Sequence, residues 1–278
     1  MKEWRASDLF LKPETRPSIR VDGELRSAPD ELIKAKELEG FVSQALSPRL
    51  KQILDEHGEV DFAYDVEGVG RFRGNIYRQR GLHAIVFRLI NEEIPDFLAL
   101  SLPADQMQRL SGLHRGLVLV TGVAGSGKST TLAAMIQYMN QHLTRHVVSI
   151  EDPIEYVFQD HQCVISQREV GLDSASFASA LKHSLRQSPD VIMIGEMRDR
   201  ETMDAAITAA ETGHLVLSTL HTINAVQTVE RIITVFPTHQ HDLIRMQLSM
   251  VLMGVVSQRL LPRLDAPGRV PAVEILLS

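Results

Sequence analysis

The feature that most limits how this chain can fold is a glycine-rich loop between an apolar segment and a helical one. Residues Gly122–Ser129 read G-V-A-G-S-G-K-S, which matches the pattern G-x-x-x-x-G-K-[ST]. The apolar run 117–121 precedes the loop, and residues 129–141 have helical periodicity. Glycines let backbone N–H groups surround phosphate oxygens, and a following helix adds its positive dipole end. The pattern therefore predicts a strand, a phosphate-binding loop and a helix.

The side chains of this loop predict binding of Mg-ATP. Lys128 is expected to bridge the β- and γ-phosphates, and the hydroxyl of Ser129 is expected to ligate Mg²⁺. A chance glycine-rich turn is the alternative interpretation, but the expected elements on both sides of the loop argue against it. The loop residues expected to contact the nucleotide are Gly122, Gly125, Ser126, Gly127, Lys128, Ser129 and Thr130.

Further apolar segments follow the loop at 147–150, 191–194 and 215–219. Helices are predicted between them, at 174–187 and 201–212. Near-continuous apolar strands that alternate with helices are typical of a parallel sheet covered on both faces. The second part of the chain is therefore expected to be an α/β nucleotide-binding domain.

The first hundred residues predict a small α+β unit instead. The expected elements are strands at 8–11 and 18–21, a turn at Asp22-Gly23, a helix over 29–54 interrupted near Ser47-Pro48, strands over 60–66, 70–80 and 82–89, and a linker with a short helix over 91–115. Alternation of apolar and polar residues in the last three strands indicates a half-buried antiparallel sheet. The domain boundary is expected at residue 100, which divides the chain into 1–100 and 101–278.

Composition and charge limit the classes of protein to which this chain can belong. A chain of 278 residues is long enough for two modest domains. The net charge of −6 and the 5% aromatic content argue against a nucleic-acid translocase. The single cysteine, Cys163, cannot form an internal disulfide or a cysteine-rich zinc site, so a cytoplasmic location is expected. Because no run approaches the roughly 18 to 20 apolar residues that span a bilayer, membrane association is expected to go through a partner.

Two acidic segments follow predicted strands that share a sheet with the loop. Glu151 comes directly after the first strand, and Glu196 comes two residues after the second. Magnesium needs carboxylate support, and an attacking water needs a base that orients it. Ordinary solvated strand ends are the alternative, but the shared sheet edge makes a role in catalysis the preferred interpretation.

Histidines and arginines supply further candidates. His214 and His221 flank the apolar run 215–220, and His221 is as suited to contact phosphate as to be structural, with His214 less so. Arginines recur along the predicted strands of the first domain, namely Arg71, Arg73, Arg78, Arg80 and Arg88. Either they keep an exposed sheet face soluble, or some of them reach a γ-phosphate across a subunit boundary. The residues alone leave both interpretations open.

Five segments, in this order and spacing, resemble the secretion ATPase superfamily, and within it the type IV pilus retraction ATPases, the PilT and PilU group. They are Gly122–Thr131, Ile150–Tyr156, Gln167–Val170, Ile194–Asp199 and Ala210–Thr222. Because the N-terminal segments Ala6–Leu9 and Ile19–Gly23 also match, the resemblance covers nearly the whole chain. It implies a PAS-like α+β N-terminal domain, a RecA-like P-loop ATPase domain and a homo-hexamer that binds ATP at subunit boundaries.

The resemblance also implies roles for particular residues. Glu151 resembles the general base, and Glu196 resembles the carboxylate near Mg²⁺. His221 resembles a phosphate sensor, with His214 beside it in the nucleotide site. The segment 71–80 resembles the region that supplies arginine fingers, for which Arg73 and Arg78 are the candidates.

The function implied is that of an ATP-hydrolysing motor for pilus retraction and twitching motility. It would act on an inner-membrane platform protein, with a paralogous retraction ATPase as a further partner. An extension or type II secretion ATPase is the alternative, but the absence of cysteine pairs favours retraction. The family continues past the equivalent of 273–275 into a helical region that this chain, ending at Ser278, is expected to lack. A regulatory subunit without turnover is disfavoured by the intact catalytic residues, and PilT and PilU types stay undistinguished.

Overall fold

The described residues form two compact units, Met1–Glu92 and Glu93–Ser278. The structure is a computed structural model that describes residues 1, 4, 6–21, 23–29, 31–90, 93–264 and 268–278. Residues 93–100 belong to the second unit and not to the first, because the ring of Phe97 is buried in the core of the second unit and Leu100 packs against it. Asp22 of the predicted turn, Asp30 of the predicted helix and Asn91 of the predicted linker lie outside the described residues.

The first unit is built on an antiparallel sheet. Its elements are β1 (Asp8–Leu11), β2 (Ser18–Val21), β3 (Glu24–Ser27), α1 (Ala35–Ala45), α2 (Pro48–His57), β4 (Glu59–Val66), β5 (Gly70–Gln79) and β6 (Leu82–Leu89). The strand order is β3-β2-β1-β6-β5-β4. Strand β3 is not predicted from the sequence, because every residue in it is exposed and no apolar alternation marks it. The predicted helix begins at Ala35 and not at Pro29.

A break between α1 and α2 falls where the sequence predicts it. The hydroxyl of Ser47 accepts a hydrogen bond from the backbone N–H of Leu50, and Pro48 takes the first helical position, where its missing N–H costs nothing. Alternation along β5 buries Phe72 and Ile76 in the core of this unit. Arg71 and Arg73 therefore lie together on the opposite face.

The second unit is an α/β domain, as predicted. Its elements are α3 (Ala104–Ser111), β7 (Gly116–Thr121), α4 (Lys128–His142), β8 (His146–Glu151), β9 (Val164–Glu169), α5 (Phe177–Ser184), β10 (Val191–Ile194), α6 (Arg200–Glu211), β11 (Leu215–Leu220), α7 (Ala225–Val235), α8 (His241–Val251), β12 (Leu252–Pro262) and β13 (Arg269–Leu277). The strand order is β13-β12-β7-β11-β10-β8-β9, and β13 alone pairs antiparallel among these described strands. Strand β9 is not predicted from the sequence, because it lies at the edge of the sheet and its residues are at most partly buried.

Side chains of the central strands alternate between two cores. Leu117 and Leu119 of β7 pack into a cluster with α5, α6 and α8, whereas Val118 and Val120 pack into a cluster with α3 and α4. Both faces of the sheet are therefore covered, which explains why these strands read as continuous apolar runs. In the described part of the chain, no helix is both long and apolar enough to cross a membrane.

Strand register sets which residues meet at one edge of this sheet. Leu220 of β11 lies opposite Thr121 of β7, and Ile194 of β10 lies opposite Ile150 of β8. Because these strands run parallel, the segments that follow them emerge at the same edge. Glu151 is the last residue of β8, and the glycine-rich loop, Glu196 and His221 follow the ends of β7, β10 and β11.

Candidate nucleotide site

The glycine-rich loop joins β7 to α4, as predicted. Gly127 precedes the helix with φ 88°, a left-handed conformation that favours glycine. Lys128 begins the helix, and its Nζ donates to the carbonyl oxygens of Gly122 at 2.9 Å and Val123 at 3.1 Å. Burial lowers the pKa of Lys128, and the negative charges of Glu196 and Glu155 oppose this shift. The amine therefore lies within the loop, close to two carboxylates.

Hydroxyl groups of the loop and of the first turn of α4 surround this lysine. The Oγ of Ser126 is buried and has no hydrogen-bond partner among the described residues. Ser129 is half-buried in the first helical turn. The Oγ1 of Thr130 lies 2.9 Å from the hydroxyl of Tyr156, which follows β8. The loop thus keeps a donor for an anionic ligand, and Thr130 links the first turn of α4 to the segment after β8.

Glu151 is the last residue of β8, and only 6% of its surface is exposed. Ser149 Oγ donates to its Oε1 at 2.7 Å, and Gln167 Nε2 donates to the same atom at 3.2 Å. The backbone N–H of Glu155 lies 3.4 Å from its Oε2. Burial raises the pKa of Glu151, and these hydrogen bonds partly oppose the shift. Such a carboxylate has neutral donors around it, and burial favours its protonated form.

Glu196 lies in the segment that follows β10 and contacts an arginine and a histidine. Arg198 Nη2 lies 2.6 Å from its Oε1, and His221 Nε2 lies 3.3 Å from its Oε2. His221 directly follows β11, so the contact joins the ends of two neighbouring strands. The negative charge of Glu196 also raises the pKa of Lys128, against the effect of burial. The predicted grouping of Glu196, His221 and the loop is therefore present.

His214 does not join this group within one chain. It precedes β11, and its Nδ1 lies 3.0 Å from the carbonyl oxygen of Ala209. His214 directly precedes β11 and His221 directly follows it, so seven residue steps of roughly 3.3 Å separate the two histidines by about 23 Å. The expectation that His214 lies beside His221 is wrong, because the two histidines flank opposite ends of one extended strand.

Arg73 and Arg78 both lie on β5 of the first unit, where each has an acidic neighbour. Arg73 Nη2 is 3.7 Å from Asp61 Oδ2, and Arg78 Nη2 is 2.8 Å from Asp55 Oδ1. Five residues apart on a strand, the two side chains start from opposite faces of the sheet. Their role as arginine fingers stays a prediction.

No role is predicted from the sequence for two glutamines of the site, the buried Gln258 and the half-buried Gln167. Gln167 of β9 donates to Glu151 and also to the carbonyl oxygen of Tyr156 at 2.7 Å. Gln258 of β12 donates to the carbonyl oxygen of Ser126 at 2.6 Å. A polar residue at the end of an apolar strand run is the signal that could have identified Gln258. Gln167 lies in the segment Gln167–Val170 that resembles the family, and this resemblance is the signal that could have identified it.

Comparison with known proteins identifies the family. The model of the family described as "Type II/IV secretion system protein" matches residues 58–274. The chain is 45% identical over 278 residues to the type IV pilus ATPase PilU of Pseudomonas aeruginosa, covering all of this chain and 72% of that protein. It is 43% identical over 273 residues to the retraction ATPase PilT of the same organism, covering 98% of this chain and 79% of that protein.

A solved structure agrees with these relatives. The crystal structure of the pilus retraction motor PilT with bound ADP superposes with a TM-score of 0.94 at 46% identity, covering 99% of this chain and 80% of that one. The resemblance drawn from the sequence segments is therefore confirmed. The chain is a P-loop ATPase that belongs to the type II/IV secretion system protein family, within the group of PilT- and PilU-like pilus ATPases.

Proposed function

We propose that this chain hydrolyses Mg-ATP as a subunit of a hexameric motor that retracts type IV pili. The observation that carries the proposal is the convergence of the glycine-rich loop, Glu151, Glu196 and His221 on one edge of the parallel sheet. Support for a role in type IV pili comes from the relatives. They are named as pilus ATPases, and more than 40% of their aligned residues are identical to those of this chain.

Each residue of the site has a chemical task in this proposal. Lys128 and the backbone N–H groups of the loop bind the β- and γ-phosphates. Glu151 takes a proton from the attacking water, a task that its raised pKa favours because proton uptake relieves its buried charge. His221, held against Glu196, contacts the γ-phosphate and reports its loss.

A magnesium ion fits the donors that are present. The described residues contain no cluster of three or more His, Cys, Asp or Glu side chains that could hold a metal alone. Magnesium does not need one, since it is commonly bound by one or two protein groups plus phosphate oxygens and water. Ser129 and Glu196 would hold the ion, which neutralises charge on the phosphates. The orphaned hydroxyl of Ser126 is a further donor for a phosphate-bearing ligand.

The proposal extends to assembly and partners. The unit Met1–Glu92 would be a PAS-like domain, and Glu93–Ser278 would be a RecA-like ATPase domain. Arg73 or Arg78 would leave its acidic neighbour to reach ATP of an adjacent subunit. Hydrolysis would then move rigid domains of a cytoplasmic ring and pull on an inner-membrane platform protein, together with a paralogous ATPase.

The test is ATPase activity of the purified chain over a range of protein concentrations, with mass measured with and without nucleotide. We expect activity per subunit to rise steeply as a hexamer forms, and Lys128→Ala to abolish it. Activity that is independent of concentration in a monomer would contradict sites completed by neighbours.

Pilus retraction is tested separately in a bacterium that lacks its own retraction ATPases. We expect the wild-type gene to restore twitching and Lys128→Ala to fail at equal protein level. Restored pilus assembly without twitching would instead identify an extension ATPase.

A further inference from the structure

We infer that Gln258 of β12 is a positioning residue, whose side-chain amide holds the glycine-rich loop in the shape that accepts phosphate. The inference rests on the proposed nucleotide site and adds a residue that lies outside the glycine-rich motif. Gln258 is 3% exposed, so its amide is withdrawn from solvent. Buried amides are stable in proteins when both ends are hydrogen-bonded.

Both ends of this amide are bonded to the loop and its helix. The Nε2 donates to the carbonyl oxygen of Ser126 at 2.6 Å, and the Oε1 accepts from the hydroxyl of Thr131 at 2.9 Å. Ser126 and Thr131 lie on either side of the residues that would carry the phosphate contacts, Gly127 to Thr130. One side chain thus fixes the loop at both ends of its binding segment.

Close packing against β12 explains two of the glycines. A Cβ at Gly122 would lie 2.3 Å from the carbonyl oxygen of Gln258, and a Cβ at Gly127 would lie 3.0 Å from its Nε2. A Cβ at Gly125, in contrast, would meet no described atom within 4 Å. Gln258 therefore packs against the loop at Gly122 and Gly127, whereas the loop has open space at Gly125. Gln258 acts through the loop and not on the ligand.

A neighbouring hydrogen bond provides a matched control. Ser257 precedes Gln258, and its Oγ accepts from Thr121 Oγ1 of β7 at 2.9 Å. This bond is buried and joins β7 to β12. It ends at Thr121, the last residue of β7, and involves no residue of the loop. Ser257→Ala therefore removes a buried bond of β12 without releasing Ser126 or Thr131.

The experiment compares Gln258→Ala, Thr131→Val and Ser257→Ala with the wild-type chain. Dissociation constants for ADP, KM and kcat for ATP, and Tm are measured for each. We expect Gln258→Ala to raise the Kd for ADP and the KM for ATP about tenfold, and Thr131→Val to raise them about threefold, with kcat at saturating ATP changed less than about threefold. Ser257→Ala should lower Tm by about as much as Gln258→Ala does, and it should leave Kd and KM unchanged.

The double variant Gln258→Ala/Thr131→Val separates positioning from general destabilisation. Because Thr131 acts through the amide, its substitution should add nothing to Kd once the amide is gone. Equal effects of Gln258→Ala and Ser257→Ala on Kd, or fully additive effects in the double variant, would overturn the inference. If Gln258→Ala does not fold, an unchanged Kd in Thr131→Val overturns it alone. Failure of the wild-type chain to bind ADP would instead reject the nucleotide site itself.

Discussion

Glu151 and Glu196 lie at the same edge of one sheet, yet their surroundings differ in charge and exposure. Glu151 is buried and receives hydrogen bonds from a serine hydroxyl and a glutamine amide, both neutral. Glu196 is more exposed, with 16% of its side chain accessible, and it contacts Arg198 and His221. The raised pKa of Glu151 follows from burial without a cation to balance its charge.

This difference assigns the two carboxylates to different chemistry. A carboxylate that is costly to ionise is suited to accept a proton from water. A carboxylate that contacts the guanidinium of Arg198 and the ring of His221 is suited to hold a cation near phosphate. Substitutions that exchange charge for a neutral amide test whether this division of roles is correct.

Glu151→Gln should have the largest effect. We expect kcat to fall by about 10³-fold, because the amide cannot take a proton, whereas the Kd for ATP should change less than about twofold. Steady-state hydrolysis and nucleotide binding measure the two effects. The control is Glu230→Gln, which neutralises an exposed carboxylate on α7 and should leave kcat within about threefold. Turnover of Glu151→Gln within tenfold of wild type would exclude its role as the base.

Glu196→Gln should have the next largest effect, and it should depend on magnesium. We expect kcat to fall by about 10- to 100-fold and the Mg²⁺ concentration for half-maximal activity to rise. Binding of ADP without magnesium should stay close to wild type. A Mg²⁺ titration of ATPase activity measures the shift, and an unchanged titration midpoint would remove Glu196 from the metal site.

Stability should respond to pH through Glu151. Its folded pKa is raised above the unfolded value of about 4.3, so its contribution to stability is full below that pH and is lost as pH rises through the folded pKa. Glu151→Gln should therefore raise Tm by about 2 to 4 °C at neutral pH, and the difference should vanish below about pH 4. Thermal unfolding from pH 4 to 8 measures this, and a variant that is less stable at pH 7 would contradict it.

Arg198→Ala should have the smallest effect. The side chain of Arg198 is 74% exposed, and exposed ion pairs contribute only about 0.2 to 1 kcal/mol. We expect kcat to fall by less than about fivefold, with partial loss of the effect at high salt. Arg245→Ala, which breaks an exposed pair with Asp242 on α8, is the matched control. A loss as large as that of Glu196→Gln would mean that Arg198 contacts the nucleotide directly.

Local patterns predict the parts of this site that are close in sequence. The loop, the buried strands and the acidic strand ends follow from motif and periodicity, because adjacent residues determine them. The face of Arg71 and Arg73 also follows from alternation. Contacts such as that of Gln258 with Ser126 join residues far apart in the chain. They depend on β12 pairing with β7, which no local pattern specifies.

Strand ends account for the failed expectation about His214. His214 and His221 are near in sequence, and the family resemblance implies that His214 lies beside His221. An extended strand separates them along its whole length, whereas a helix of the same number of residues would be about half as long. Residues that flank a strand should therefore be assigned to opposite edges of a parallel sheet before any common role is considered.

The position of the Lys128 amine has a consequence for what the loop can bind. The amine donates to the carbonyl oxygens of Gly122 and Val123. An ammonium group carries three N–H donors, so these two bonds leave one donor for an anion. The backbone of the loop therefore orients the charged end of Lys128.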